Sequence, residues 1–93
     1  MATVYFSGPA EQDLKRLPPS AQSELRLKCV PLLSKNPRAG KMLRGPLRGY
    51  FSFEFWSRGV SYRIAYELFE GGVIILMIDT RDNFYKKFSH RAR

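Results

Sequence analysis

The sequence predicts a small α+β domain, an N-terminal strand and a helical hairpin packed on an antiparallel-rich sheet of about four strands. Three observations predict it. Between residues 9 and 34, two stretches carry apolar side chains at helical spacing and are parted by Pro18-Pro19. Between residues 50 and 78, three stretches follow the two-residue period of strands or run apolar without a break, parted by Ser57-Arg58-Gly59 and Glu70-Gly71-Gly72. The chain has 93 residues, 44% of them hydrophobic, which suffices for one core and no more, so residues 1–93 are read as a single domain.

Residues 2–6 are β-prone and end at Ser7-Gly8-Pro9. Ser7 is placed to cap a helix beginning near Pro9, with Glu11 and Asp13 in the first turn, where the helix dipole favours acids. Ala10, Leu14 and Leu17 fall on one face of that helix, and Pro18-Pro19 stops it. The prolines or Ser20 open a second helix, whose apolar set is Ala21, Leu25, Val30, Leu32 and Leu33. Pro31 within it removes the hydrogen bond to the Leu27 carbonyl, which predicts a kink or an early end. Residues 35–48 read as a loop, marked by Asn36-Pro37, Gly40 and Gly45-Pro46. Residues 50–56 turn Phe51, Phe53 and Phe55 inward, and Tyr50, Ser52, Glu54 and Trp56 outward. Residues 60–68 set Tyr62, Ile64, Tyr66 and Leu68 against Arg63, Ala65 and Glu67. Residues 73–78 are apolar on both faces, as a central strand covered on each side would be. Residues 82–88 fit a short helix or a further extended piece.

Composition excludes several classes. A single cysteine, Cys29, rules out an internal disulfide framework, and with a single histidine, His90, it leaves too few ligands for a zinc site. No metal and no cofactor are expected. The opening Met1-Ala2-Thr3-Val4 lacks the pattern of a signal peptide. The longest apolar run, residues 73–78, falls far short of the roughly 20 residues that span a bilayer. A cytoplasmic location and no membrane partner are therefore the expectation.

Sixteen Lys and Arg against eight acids leave a net charge of +8, which favours a polyanionic partner. The excess is localised. Residues 35–53 hold Lys35, Arg38, Lys41, Arg44 and Arg48 with no acid, and residues 81–93 hold Arg81, Lys86, Lys87, Arg91 and Arg93 against Asp82 alone. Residues 54–80 carry two cations against four acids. A fold that joins the loop before the sheet to the tail after it makes one positive groove, suited to a phosphate backbone through counterion release.

The order of strand, helical hairpin, basic Asn36-Pro37-Arg38-Ala39-Gly40-Lys41 loop and three strands resembles the RelE/ParE superfamily of bacterial toxins. The most specific pieces are Gly45-Pro46-Leu47-Arg48-Gly49-Tyr50, Tyr62-Arg63-Ile64-Ala65-Tyr66-Glu67 and Arg81-Asp82-Asn83-Phe84-Tyr85. The likeness runs from Phe6 to about Phe88. It implies a RelE-like fold and a RelE-type mRNA interferase, the toxin of a type II toxin–antitoxin pair, cutting mRNA on the ribosome and held inactive by a cognate antitoxin. The implied reaction is metal-independent: the RNA 2′-hydroxyl attacks the adjacent phosphate, leaving a 2′,3′-cyclic phosphate and a 5′-hydroxyl end. It needs a base, cations over the developing charge and help for the leaving oxygen. By resemblance Arg63 holds the phosphate, Arg81 serves the charge or the leaving group, and Tyr85 stacks on or positions the RNA. The family's basic pair on the first strand of the sheet hairpin is Ser52 and Glu54 here, and its frequent Gly-His before the last arginine is Asp79-Thr80. Glu54 is accordingly the candidate base. Lys41, Arg44, Arg48, Ser52, Lys86 and Lys87 are expected to meet RNA. A ParE-like inhibitor of DNA gyrase and a toxin that only binds its antitoxin are the alternatives.

Each candidate has a plainer reading. Arg63 can pair with Glu54 or Glu67 as an ordinary cross-strand ion pair, and Arg81 with Asp79 or Asp82. Tyr85 falls off the Phe84–Phe88 helical pair, which leaves its ring exposed. Trp56 and Tyr50 either stack bases or pack under the basic loop. His90 reads as a surface residue of the tail, and Cys29 as a buried structural thiol.

Overall fold

The computed structural model describes residues 1–92, so Arg93 of the basic tail lies outside the described residues. The chain runs β1 (Thr3–Phe6), α1 (Gly8–Arg16), α2 (Pro19–Glu24), a π-turn at Leu25–Cys29, α3 (Val30–Lys35), β2 (Lys41–Met42), a 3₁₀ turn at Gly45–Leu47, β3 (Tyr50–Ser57), β4 (Val60–Phe69), β5 (Gly72–Thr80) and α4 (Phe84–Arg91). The sheet order is β1-β5-β4-β3-β2. β1 lies parallel to β5, and every other pair is antiparallel.

The α+β expectation holds, with five strands for the expected four or so. The fifth is β2, two residues inside a stretch read as loop, too short to show a periodicity. Ser7 caps α1 as expected, its Oγ accepting the Ala10 N–H at 3.2 Å. Asp13 departs from expectation: it sits past the first turn, buried against β5 and α4 rather than facing the helix dipole. Pro31 does not end its helix. The turn just before it is wound wider, with the Val30 N–H donating to the Leu25 carbonyl five residues back. A π-turn of this kind relieves the clash between the proline ring and the preceding turn, and the helix then continues to Lys35. The segment left open between helix and strand is α4.

Two cores flank the sheet. Leu14, Leu25, Leu33, Phe51, Phe55, Tyr62, Ile64, Tyr66, Val73, Ile75 and Ile78 pack under α1, α2 and α3. On the opposite face, α4 lays Phe84 and Phe88 on Ala65, Met77 and Leu43. The strand alternation explains both layers except at one point. Ala65 pairs with Met77 and Tyr66 with Ile75, so Leu76 is an extra residue, a β-bulge. The bulge keeps both Leu76 and Met77 with the α4 core, and the apolar run of residues 73–78 serves both cores.

One polar clasp closes the molecule. Asp13 of α1 accepts the Ile78 N–H at 3.0 Å and is gripped by Arg91 of α4 at 2.6 and 3.4 Å. Arg91 also donates to the carbonyl of bulged Leu76 at 3.1 Å. These side chains satisfy β5 where β1 has ended and its ladder can no longer do so.

Candidate functional site

The α4 face of the sheet is only part covered, and the uncovered end collects the chemistry-bearing residues. The strand register sets Glu54, Arg63 and Asp79 in one row across β3, β4 and β5. The next row holds Lys41, Ser52, Ala65 and Met77. After β5 the chain reverses at Asn83, whose φ of 56° lies in the left-handed region that Asn tolerates better than most residues. That reversal lays α4 back over the second row and hangs Tyr85 above the first.

Tyr85 is the hinge of the cluster. Its hydroxyl accepts from Arg63 Nη1 at 3.1 Å and lies 3.3 Å from Ser52 Oγ. The Arg63 guanidinium stands 5.6 Å from the centre of its ring. Arg63 is thereby held at two ends, because Nη2 also lies 3.8 Å from Glu54 Oε2. The plainer reading of that ion pair is thus realised, in a long geometry, alongside the tyrosine contact. Glu54 Oε2 further accepts from Ser61 Oγ at 2.6 Å. Both contacts fall on one carboxylate oxygen, and Oε1 has no hydrogen-bond partner among the described residues.

Arg81 is exposed on the turn after β5. Its N–H donates to the Ser61 carbonyl at 3.3 Å, which anchors it beside the residue that holds Glu54. Asp79, the expected structural partner of Arg81, is taken by Lys87 at 3.1 Å and by the Thr80 N–H at 2.7 Å. No ion pair engages Arg81 among the described residues. The structure therefore gathers Arg63, Glu54 and Tyr85 by direct contact, with Arg81 tied to them through Ser61.

The groove residues divide. Lys41 and Arg44 line a shallow cleft of about 460 Å³ with Met42, Leu47 and Tyr85, so the basic loop does reach the site. Ser52, expected to meet RNA, is instead buried at 4% exposure, and its hydroxyl faces Tyr85. Lys87 is engaged by Asp79. Arg48 and Lys86 are exposed and make no side-chain bond to the cluster among the described residues. Trp56 and Tyr50 separate: Trp56 is exposed, whereas Tyr50 packs edge-on against Phe88 at 5.1 Å, under α4. His90 is exposed, and Cys29 is buried with its thiol pushed up to about 11, chiefly by burial.

Sequence reasoning missed three supports. Ser61 orients Glu54. Tyr66, correctly placed inward, reaches through the sheet edge to the basic loop, donating to the Pro37 carbonyl and accepting the Gly40 N–H, both at 2.8 Å. Burial raises the Tyr66 hydroxyl above its usual pKa. Asp13 and Arg91 are the third support, and 78 residues separate them, beyond the reach of any local pattern.

The family model described as ParE-like toxin of type II bacterial toxin–antitoxin system matches residues 4–89. The chain belongs to the ParE-like toxin family. Toxin RelG of Mycobacterium tuberculosis is 35% identical to this toxin over 88 residues, covering 91% of this chain and 97% of RelG. The crystal structure of the toxin–antitoxin complex RelBE2 from the same organism matches with 36% identity and a TM-score of 0.73, over 86% of this chain and 91% of that one. The intact E. coli RelBE toxin–antitoxin complex matches at 25% identity and a TM-score of 0.67, over 86% and 96% of the two chains. The toxin has the RelE-like fold, as the motif segments around Arg48, Arg63 and Arg81 led one to expect. No helix among the described residues is long and apolar enough to cross a membrane.

Proposed function

We propose that this toxin is an mRNA endoribonuclease acting on the translating ribosome, held in check by a cognate antitoxin. The observation that carries the reading is the Arg63 cradle, a guanidinium steadied by the Tyr85 hydroxyl and Glu54 at the open end of a basic cleft. Mycobacterial RelBE2 and E. coli RelBE, solved as toxin–antitoxin complexes, support the antitoxin.

The reaction follows from the side chains. Glu54 takes the proton of the 2′-hydroxyl at its unengaged Oε1, and the 2′-oxygen bonds to the neighbouring phosphorus. Arg63 turns its donors to the non-bridging oxygens, whose charge grows in the transition state. The bond from phosphorus to the 5′-oxygen breaks, Arg81 balances the charge on that oxygen, and solvent supplies its proton. A 2′,3′-cyclic phosphate and a 5′-hydroxyl end remain. Tyr85 offers its ring to a base next to the scissile phosphate. Lys41 and Arg44 carry the flanking backbone.

The test is 5′-end mapping of mRNA incubated with translating ribosomes and the purified toxin. New 5′-hydroxyl ends inside the coding region are expected, with Arg81→Ala slowed by about 100-fold or more and Glu54→Gln by about 100- to 10,000-fold. Wild-type cleavage by Glu54→Gln removes Glu54 as the base. One observation favours a second reading: β3, where the resemblance implies a basic pair, here carries buried Ser52 and ion-paired Glu54. An absence of new ends, together with inhibited gyrase supercoiling, would make the protein a gyrase inhibitor.

A further inference from the structure

Tyr62 is buried at 5% exposure and stacks on Phe55 at 5.2 Å, yet its hydroxyl has no hydrogen-bond partner among the described residues. Tyr66, buried in the same core, gives its hydroxyl to Pro37 and Gly40. Among the described residues no fully enclosed polar side-chain atom lacks a partner, so the Tyr62 hydroxyl must reach an opening. A buried tyrosine ordinarily satisfies its hydroxyl within the protein.

The opening is a cleft of about 270 Å³ between the end of α1 and the end of β5. Leu17 and Pro18 make one apolar wall. Thr80 stands opposite Tyr62 in the strand register, and its hydroxyl has no partner among the described residues either. Of the two carboxylates, Asp13 is held by Arg91 and the Ile78 N–H. Asp79 accepts from the Thr80 N–H and Lys87, which leaves part of its roughly four acceptor sites open. Arg16 lies exposed at the rim, in no ion pair among the described residues. The volume falls just below the roughly 300–1,000 Å³ that takes a drug-sized ligand, so it suits one flat ring rather than a peptide. An apolar wall, two hydroxyls, an acceptor carboxylate and a rim arginine are what a nucleobase and its phosphate require.

Position decides which base. Asp79 belongs to both places, since it lines the cleft and completes the row of Glu54 and Arg63. In the reaction above, Glu54 on β3 takes the 2′-hydroxyl proton and Arg81, next after Thr80, meets the 5′-oxygen. RNA then crosses the sheet from β3 toward β5 in the 5′ to 3′ sense. We infer that the cleft binds the base of the nucleotide departing with the 5′-oxygen, and selects one with an exocyclic amine over uracil. The ring lies on Leu17 and Pro18, the amine donates to Asp79, and the Tyr62 and Thr80 hydroxyls meet the remaining edge. Arg16 takes the next phosphate. Uracil sets a carbonyl oxygen where the amine belongs, facing a carboxylate. Asp79-Thr80 stand where the resemblance implies Gly-His, so this chain's own departures build the cleft. The inference deepens the nuclease reading and rests on it.

The probes are RNA trinucleotides with 2′-deoxyribose at the first position, which removes the attacking hydroxyl. The second position carries adenine, cytosine, uracil or no base, and each is titrated into the full toxin. Amide NMR shifts are expected at Leu17, Tyr62 and Thr80, with adenine and cytosine about tenfold tighter than uracil. The abasic probe should bind no better than uracil. Asp79→Asn, whose carboxamide can donate to a carbonyl, should move the preference toward uracil. Tyr62→Phe keeps the ring on Phe55 and should weaken the base-bearing probes while leaving the abasic one unchanged. Abasic binding equal to adenine, silence at Tyr62 and Thr80, or one ranking shared by the wild type and Asp79→Asn would each overturn the inference. The base ranking and the abasic control use the unaltered toxin, so they decide even where a variant does not fold. RNA-end mapping separates the two proposals. New ends without base ranking or a Thr80 shift defeat the cleft alone, and ranked binding at Tyr62 and Thr80 without new ends defeats the nuclease alone.

Discussion

At the scale of single residues, the site depends on positions that never touch a substrate. Gly40 is one. A Cβ there would stand 2.6 Å from the Ser52 carbonyl oxygen and 2.6 Å from the Tyr66 hydroxyl. Gly40→Ala should therefore lower stability by about 1–3 kcal/mol, read by denaturant unfolding, and should loosen the basic loop that Tyr66 holds. Tyr85 separates two roles. Tyr85→Phe keeps the ring and loses the hydroxyl contact to Arg63, so kcat should fall more than KM rises. Tyr85→Ala also removes a stacking surface worth about 1–3 kcal/mol per base, so its KM for RNA should rise as well. Cys29 supplies a pH test. Burial lifts its thiol from 9.0 to about 11, so the fold favours the protonated form. That contribution is complete below pH 9 and is lost as pH climbs to about 11. Cys29→Ala should show a shallower loss of stability across that window in urea titrations. Of the site, Arg63, Arg81 and Tyr85 were legible as candidates because two short motifs carried a resemblance, and Glu54 because strand alternation set it at a position where the resemblance implies a basic residue. Periodicity could say that Ser52 and Glu54 share a face, but the helix that buries the first and leaves the second open is laid across that face by Asn83.

At the scale of elements, helical spacing located α1, which has one wet face and one dry face, and two-residue alternation located β3 and β4. It failed where geometry breaks the period. The bulge at Leu76 puts two successive residues on one side of β5, and the sequence sign was only an apolar run with no readable alternation. The π-turn before Pro31 left no sign either, since Leu25 and Cys29 still fall on the buried face. The clasp between α1 and α4 is the most consequential of these unread features. Asp13→Ala would strip Arg91 of its partner and leave the Ile78 N–H unsatisfied. A loss of about 3 kcal/mol is expected on thermal or chemical unfolding, at the low end for a buried ion pair because Arg91 is partly exposed. The Asp13→Asn protein, which keeps an oxygen for Ile78, should recover part of it.

At the scale of the whole molecule, charge is sorted by segment and the fold brings part of the sorted charge to one cleft. Lys41, Arg44, Arg63 and Arg81 are the cations placed to meet a backbone, so the affinity for single-stranded RNA should fall with salt at a log–log slope of about −3. A filter-binding titration from low to moderate salt measures it, and a flat response would remove the groove. The connectivity has a different consequence, one of timing. The first strand pairs with the last, Thr3 opposite Gly72, and Asp13 meets Arg91 across 78 residues. The tyrosine over Arg63 belongs to the final helix. A nascent chain thus displays its arginine and its carboxylate before it owns the lever that sets them, and β5 stays unsealed until the last turn emerges. Synthesis broken off after Thr80 yields a fragment with an unfinished site, in which Arg63 lacks the Tyr85 hydroxyl and Asp13 lacks Arg91.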